Sequence, residues 1–142
     1  KFFTSGGLGT MGYSIPAACG VCFATLDHPK QVFAVCGDGS FQMSMGALGV
    51  IAEHQLNVKI ILITNTKLGM VRQLQCDVFG KGHYSGTDLN FDIDFMKLAE
   101  AYGIKGYKVD KNEDFNKVLP EAIKHQGPVL IQCQVHPDFI RI

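Results

Sequence analysis

Two polar punctuations, separated by one helix and one strand, constrain this chain more than any other feature. Gly37-Asp38-Gly39 closes the apolar run Val32-Phe33-Ala34-Val35-Cys36, and Asn65 closes the run Val58-Lys59-Ile60-Ile61-Leu62-Ile63, with 25 residues between Gly39 and Asn65. Each run is rich in β-branched or aromatic residues and reads as a buried strand. Between them Met43, Ala47, Leu48 and Ile51 recur at helical spacing, and Ser40 stands where an N-cap belongs. A strand-helix-strand unit of this kind brings both strand ends to one edge of a parallel sheet, where open α/β sheets place their ligands. Asp38 and Asn65 then offer two hard oxygens beside a helix N-terminus, a donor set suited to Mg²⁺ bridging a diphosphate.

The rest of the chain continues the alternation. A glycine-rich opening leads into a helix with Pro16 in its first turn, running to about Leu26, and Asp27-His28-Pro29-Lys30 forms a turn. Strand 32–36, helix 41–55 and strand 58–64 follow. Residues 66–90 carry Gly69, Gly80, Gly82 and Gly86 with little sustained periodicity, so a long loop is expected, and long loops in compact domains are commonly functional. Asp92 to Ala101 predicts a helix with Phe95, Leu98, Ala99 and Tyr102 on one face and Gly103 as its stop. Lys105 to Val109 is a short strand. An amphipathic helix from Asn112 to near Gly127 contains Pro120, which predicts a kink or a break, and Pro128 to Val135 closes the sheet. The expected fold is a single three-layer α/β domain, a central parallel sheet with helices on both faces.

Composition narrows the function classes. At 142 residues and 46 % hydrophobic content the chain suffices for one buried core. Thirteen basic and thirteen acidic residues leave a formal charge of zero, with no basic tract to displace counterions from nucleic-acid phosphates. No apolar run approaches the roughly 18 residues of a membrane span, so a soluble, cytoplasmic protein is expected. The five cysteines are odd in number, and Cys19, Cys22, Cys36 and Cys133 sit in apolar stretches, the habit of reduced thiols. Cys19-x-x-Cys22 has redox or zinc spacing, but it lies inside the apolar run Ala17 to Leu26 without a second pair, so packing explains it better. His28, His54, His83, His125 and His136 lack metal spacing and read as surface residues, His83 being the one inside the long loop.

Gly7-x-Gly9-x-x-Gly12 satisfies the dinucleotide fingerprint, yet only Lys1-Phe2-Phe3-Thr4-Ser5 precedes it where a strand is required, and Asp27 stands before a turn. A dinucleotide oxidoreductase is therefore kept only as an alternative.

The Gly-Asp-Gly followed at this distance by Asn resembles the thiamine diphosphate (ThDP) signature. Thr4-Ser5-Gly6-Gly7-Leu8-Gly9-Thr10-Met11-Gly12-Tyr13-Ser14-Ile15-Pro16-Ala17-Ala18 is similar to the segment cradling the aminopyrimidine in acetolactate synthase and its relatives, and Leu68-Gly69-Met70-Val71-Arg72-Gln73 resembles that branch more than pyruvate oxidase or the simple 2-oxoacid decarboxylases. The resemblance spans nearly all of the chain, but only the last part of such a catalytic subunit. A C-terminal fragment, or one chain of a split assembly, is expected.

The resemblance implies a division of roles. Asp38, Asn65 and the carbonyl of Lys67 would hold Mg²⁺; Gly37, Asp38, Gly39 and Ser40 would meet the diphosphate, with the N–H groups of Gly39 and Ser40 donating. The carbonyl of Gly9 and the N–H of Met11 would face the aminopyrimidine, and Leu68, Gly69 and Met70 would lie against the cofactor. Val71 and Leu74 would line the substrate pocket. Relatives commonly carry Trp at the position of Leu74, and this chain has no Trp, which implies a roomier acceptor site. No catalytic residue is expected here, because the family's activating Glu lies in another domain donated across a dimer interface. The isolated chain is thus expected to be inactive. By resemblance the whole decarboxylates pyruvate and joins the two-carbon unit to a second 2-oxoacid in branched-chain amino-acid biosynthesis. It would be a homodimer or tetramer, with a regulatory subunit in some relatives and FAD retained by some in another domain. A related ThDP decarboxylase or oxidase, and a non-catalytic binding or assembly module, stand as the other readings.

Overall fold

The computed structural model describes residues 1–89 and 92–137. Its elements run α1 (Ser14–Phe23), β1 (Val32–Gly37), α2 (Asp38–Ser44), α3 (Ala47–Glu53), β2 (Val58–Thr64), α4 (Gly69–Phe79), α5 (Phe95–Ala101), β3 (Lys105–Val109), α6 (Asn112–Lys124) and β4 (Val129–Gln134). The four strands form one sheet in the order β1-β2-β4-β3, every neighbouring pair parallel. Val32 pairs with Val58 and Gly37 with Ile63, so the carboxyl ends of β1 and β2 lie side by side.

Apolar side chains sort the layers. Val32, Ala34 and Cys36 of β1, Val58, Ile60 and Leu62 of β2 and Leu130 of β4 share one sheet face with Ile15, Phe41, Leu48, Ile51, Phe95 and Ala99. The larger core therefore lies between the sheet and α1, α2, α3 and α5. On the opposite face Val109, Val129 and Ile131 pack with Ala122, Phe115, Val118 and Leu119 of α6. This is the expected three-layer α/β arrangement.

β1 departs from the expected buried strand: its residues alternate between buried and exposed, with Phe33 and Val35 open to solvent. β1 is the sheet's edge, and α6 covers the far side only over β3 and β4. At the opposite end of the sheet, Lys59 is wholly buried and its Nζ donates to Asn57 Oδ1 at 2.7 Å and to the carbonyls of His125 at 2.8 Å and Gly127 at 2.6 Å. This knot ties the start of β2 to the exit of α6.

Other expectations need correction. Helix 41–55 is two helices, parted at Met45 and Gly46. Ser40 is not an N-cap: the helix starts directly after the strand with Gly37 at the cap, and Ser40 lies within its first turn. Within the loop-rich span 66–90, whose last position lies outside the described residues, eleven residues form α4. α1 stops at Phe23 and continues as turns, because Thr25 Oγ1 donates to the carbonyls of Val21 and Cys22 and closes off the last turn. α5 starts at Phe95, since the Asp94 side chain accepts from the N–H groups of Met96 and Lys97; Gly103, at φ +65°, follows its end as expected. α6 runs through Pro120 without interruption: the bond that Pro120 cannot make would go to Asn116, and both residues are exposed to water. Among the described residues no helix is long and apolar enough to cross a membrane.

Candidate functional site

Asp38 is the first residue after β1 and Asn65 the first after β2, so the parallel register delivers them to one point. Asp38 is 3 % exposed and Asn65 8 %. Asp38 Oδ2 accepts from the N–H of Asn65 at 3.1 Å and of Thr66 at 2.7 Å, and its Oδ1 accepts from the N–H of Gly39 at 2.9 Å. Asn65 Oδ1 in turn accepts from the N–H of Lys67 at 3.1 Å. The chain folds back here through Thr66, a non-glycine residue at φ +57°, a backbone state that costs energy and concentrates at binding sites.

This turn brings the three expected metal-ligand residues together. Among the described residues no Lys, Arg or His forms an ion pair with the buried Asp38 carboxylate. Backbone N–H donors partly satisfy it, but an ionised carboxylate away from water calls for a positive charge or a metal. No trio of His, Cys, Asp or Glu side chains converges among the described residues. A cation at this point would therefore take one carboxylate, one carboxamide and carbonyl oxygens, with ligand oxygens completing the shell, as Mg²⁺ does at phosphate sites. The residues present fit that group.

Gly39 lies beneath a hydrophobic lid. A Cβ added there would stand 2.8 Å from Leu68 Cδ2, 3.2 Å from Met11 Cε and 3.4 Å from Leu89 Cδ1. Leu68 and Met11, expected beside the cofactor, thus meet over the residue expected beneath its diphosphate. The glycine-rich opening is tied to the same place: Gly12, at φ +86°, donates its N–H to Ser40 Oγ at 2.8 Å. Ser40 acts here through its hydroxyl, holding the loop. Gly9, at φ +62°, is exposed, and its own N–H donates to the Ser5 carbonyl at 2.7 Å.

The remaining expected residues lie on α4. Gly69 begins it, and Met70, Val71 and Leu74 are exposed, as are Val78 and Phe79. No residue of α4 is buried, so its outward apolar side chains have no covering layer within the described residues. Lys67 and Asp88 form an isolated antiparallel bridge, with Leu68 N–H donating to the Thr87 carbonyl at 2.8 Å and Leu89 N–H to the Thr66 carbonyl at 2.9 Å. Thr87 and Asp88 were not expected from the sequence. Thr87 is 1 % exposed and its Oγ1 has no hydrogen-bond partner among the described residues. The Asp88 carboxylate accepts from Lys67 Nζ at 2.6 Å and Arg72 Nη1 at 3.2 Å; the Lys67 hydrogen bond above all, with both cationic charges, holds its carboxyl below the usual carboxylate range.

The cysteines are structural where they are buried. Cys19 and Cys22 pack in the larger core, where burial raises both thiols. Burial, with the nearby Asp38 charge, pushes Cys36 up to about 12. His28, His54, His83 and His136 are exposed and His125 is half-buried, with His54 set edge-on to Phe23 at 5.1 Å between ring centroids.

The family model described as "Thiamine pyrophosphate enzyme, C-terminal TPP binding domain" matches residues 1–133. The acetolactate synthase large subunit of Pyropia yezoensis is 46 % identical over 135 residues, covering 94 % of this chain and 22 % of that protein. The isozyme 2 large subunit of Escherichia coli K12 is 40 % identical over 136 residues, covering 95 % and 24 %. The mitochondrial acetolactate synthase catalytic subunit of Saccharomyces cerevisiae is 42 % identical over 135 residues, covering 94 % and 19 %. Among solved structures, the thiamine diphosphate-dependent 4-hydroxybenzoylformate decarboxylase of Rhodococcus jostii RHA1 superposes with a TM-score of 0.82 at 34 % identity, over 92 % of this chain and 24 % of that one. The chain thus spans a quarter or less of the length of these relatives.

Proposed function

Because the chain belongs to the thiamine pyrophosphate enzymes, as their C-terminal TPP-binding domain, we propose that it is the Mg²⁺- and diphosphate-binding part of an acetolactate synthase-like carboligase acting on 2-oxoacids. The observation that carries the metal assignment is the buried Asp38 carboxylate, without a cationic partner among the described residues and hydrogen-bonded to the Asn65–Thr66 turn. Relatives named acetolactate synthase, at 40 to 46 % identity over nearly the whole chain, support the choice of reaction.

ThDP, when bound, supplies the carbanion that attacks a 2-oxoacid and the electron sink for loss of its carboxylate. The chain's own part is to bind and to orient. Asp38, Asn65 and the Lys67 carbonyl would hold Mg²⁺, and the N–H groups of Gly39 and Ser40 in the first turn of α2 would meet the diphosphate together with Gly37. Gly39 N–H already donates to Asp38, so it would share that donor between carboxylate and phosphate. Gly9, Met11, Leu68, Gly69 and Met70 would fix the organic part of the cofactor, and Val71 and Leu74 would shape the acceptor side of the pocket. Such placement acts through geometry and preorganised donors rather than through an acid or base of this chain. The activating glutamate would come from the remainder of the polypeptide or from a second subunit.

The test is Asp38→Asn in the complete enzyme, titrated with ThDP at fixed Mg²⁺. Loss of metal-dependent binding is expected; unchanged ThDP affinity overturns the assignment. The 34 % identity to a decarboxylase favours one second reading, a simple 2-oxoacid decarboxylase. Product analysis from pyruvate separates the two: acetolactate for the first, acetaldehyde for the second.

A further inference from the structure

We propose that Asp88 is a positioning residue, one that aims the metal-facing carbonyl of Lys67 and couples it to the pocket helix α4. The inference rests on the reading above that Lys67 lends a carbonyl to Mg²⁺. An exposed ion pair by itself does little. This one joins the metal-side turn to a helix that has few other supports. On one side, the Asn65–Lys67 turn passes through a left-handed Thr66 and is closed by the Lys67 to Asp88 bridge. On the other side, α4 has no buried residue to anchor it. Its side-chain hydrogen bonds to the returning segment are Arg72 to Asp88 at 3.2 Å and a pair between Gln75 and Ser85, at 2.9 Å and 3.0 Å; the Arg72 guanidinium also stacks 3.7 Å from the Tyr84 ring centroid.

Among the described residues the Asp88 carboxylate is the side chain that hydrogen-bonds to both parts, because the oxygen that accepts from Lys67 Nζ at 2.6 Å also accepts from Arg72. The Lys67 carbonyl points away from the Leu68 N–H of the same peptide, which donates to the Thr87 carbonyl at 2.8 Å, and the Lys67 ammonium at Asp88 with its N–H at Asn65 Oδ1 braces that peptide from either side. Groups that orient metal ligands without touching the metal typically govern affinity by about 10- to 100-fold. Here the lower end is expected, because Asp88 is partly open to water.

The experiment is calorimetric titration of Mg²⁺ into the complete enzyme saturated with ThDP, for the parent and for Asp88→Ala, Asp88→Asn, Asp88→Glu and Asp38→Asn. Asp88→Ala is expected to weaken Mg²⁺ by about tenfold, Asp88→Glu to restore most of that loss, and the unfolding temperature of the cofactor-free enzyme to stay where it is. Should Asp88→Ala fail to fold, Asp88→Asn carries the same expectation, since it keeps the shape and drops the charge. Parent-like Mg²⁺ affinity in Asp88→Ala or Asp88→Asn, beside loss in Asp38→Asn, overturns the positioning role alone. A loss that Asp88→Glu fails to restore overturns it too. Parent-like Mg²⁺ binding in Asp38→Asn overturns the metal site itself.

Discussion

Gly39→Ala separates stability from cofactor binding, because the two respond to the added methyl through different neighbours. Gly39 lies in the first turn of α2 with an ordinary, non-left-handed φ, so alanine is conformationally allowed and, as a better helix former, favoured by up to about 1 kcal/mol. Against this stands the collision of the new Cβ with Leu68 Cδ2 at 2.8 Å, Met11 Cε at 3.2 Å and Leu89 Cδ1 at 3.4 Å. All three are far ends of flexible side chains, so the cost of overpacking belongs at the low end of about 1–3 kcal/mol. The net destabilisation is then about 0–2 kcal/mol, a fall of a few degrees in Tm. Binding is hit harder. The displaced Leu68 and the methyl together deny a phosphate oxygen its approach to the Gly39 N–H, and a hydrogen bond to a charged group contributes about 1.5–3 kcal/mol. That is about 10- to 150-fold in Kd. Calorimetric titration of ThDP at saturating Mg²⁺, beside thermal unfolding of the cofactor-free complete enzyme, gives both quantities. ThDP affinity within twofold of the parent would refute the claim that the backbone must be approached closely at Gly39.

Lys59→Met removes a buried ammonium and leaves the His125 and Gly127 carbonyls and Asn57 Oδ1 short of a donor. Offset by the relief of burying a charge, the net loss is expected at about 2–4 kcal/mol, read as faster hydrogen exchange in β2 and β4; unchanged exchange contradicts it. Burial lowers the Lys59 pKa, so the unfolded chain keeps this proton to higher pH than the folded one. The parent should therefore gain stability relative to Lys59→Met as pH rises from the lowered folded pKa towards 10.5, and a difference that shrinks over that window would show the sign to be wrong. Cys36, pushed up to about 12, should resist iodoacetamide at pH 8 in the native protein and react on unfolding, because the thiolate is the nucleophile; peptide mass mapping that finds it labelled in the native state would refute its inertness. Leu74→Trp fills space on exposed α4 and should shift the complete enzyme's acceptor choice from pyruvate towards 2-oxobutyrate; equal product ratios before and after would remove Leu74 from the pocket.

The strands and their order of appearance were legible because buried parallel strands need apolar, β-branched runs, and the chain has three obvious ones at 32–36, 58–63 and 129–133. What failed were decisions made by few atoms. Gly46 sits in the break between α2 and α3, yet apolar spacing continued across it from Met43 to Ile51 and suggested one helix. Ser40 looked like a cap because serine so commonly is one, while Asp38 starts the helix itself and satisfies the Gly39 N–H with its own carboxylate. The exposure of Phe33 and Val35 was not legible at all, since composition cannot say which neighbour a strand lacks.

The candidate site divides along the same physical line. Asp38 and Asn65 could be found because each follows directly on a recognisable strand, and register alone then sets their proximity. α4 was missed although Met70, Val71, Leu74 and Val78 recur at helical spacing, because the glycines at 69, 80, 82 and 86 around them read as a loop and the stripe meets no core. A different signal was present, since residues 70–79 hold neither Gly nor Pro and Gly80, at φ +89°, follows as a stop. Asp88 had no local signal whatever. Its partners Lys67 and Arg72 stand 21 and 16 residues earlier, and nothing near Asp88 in sequence marks it off from any other surface acid. The contact exists only because Thr66 turns left-handed without a glycine to announce it and sends the chain out into α4 and back. Residues that bind through the ends of secondary structure can thus be read along the chain, whereas those that aim them become visible only when the loop closes.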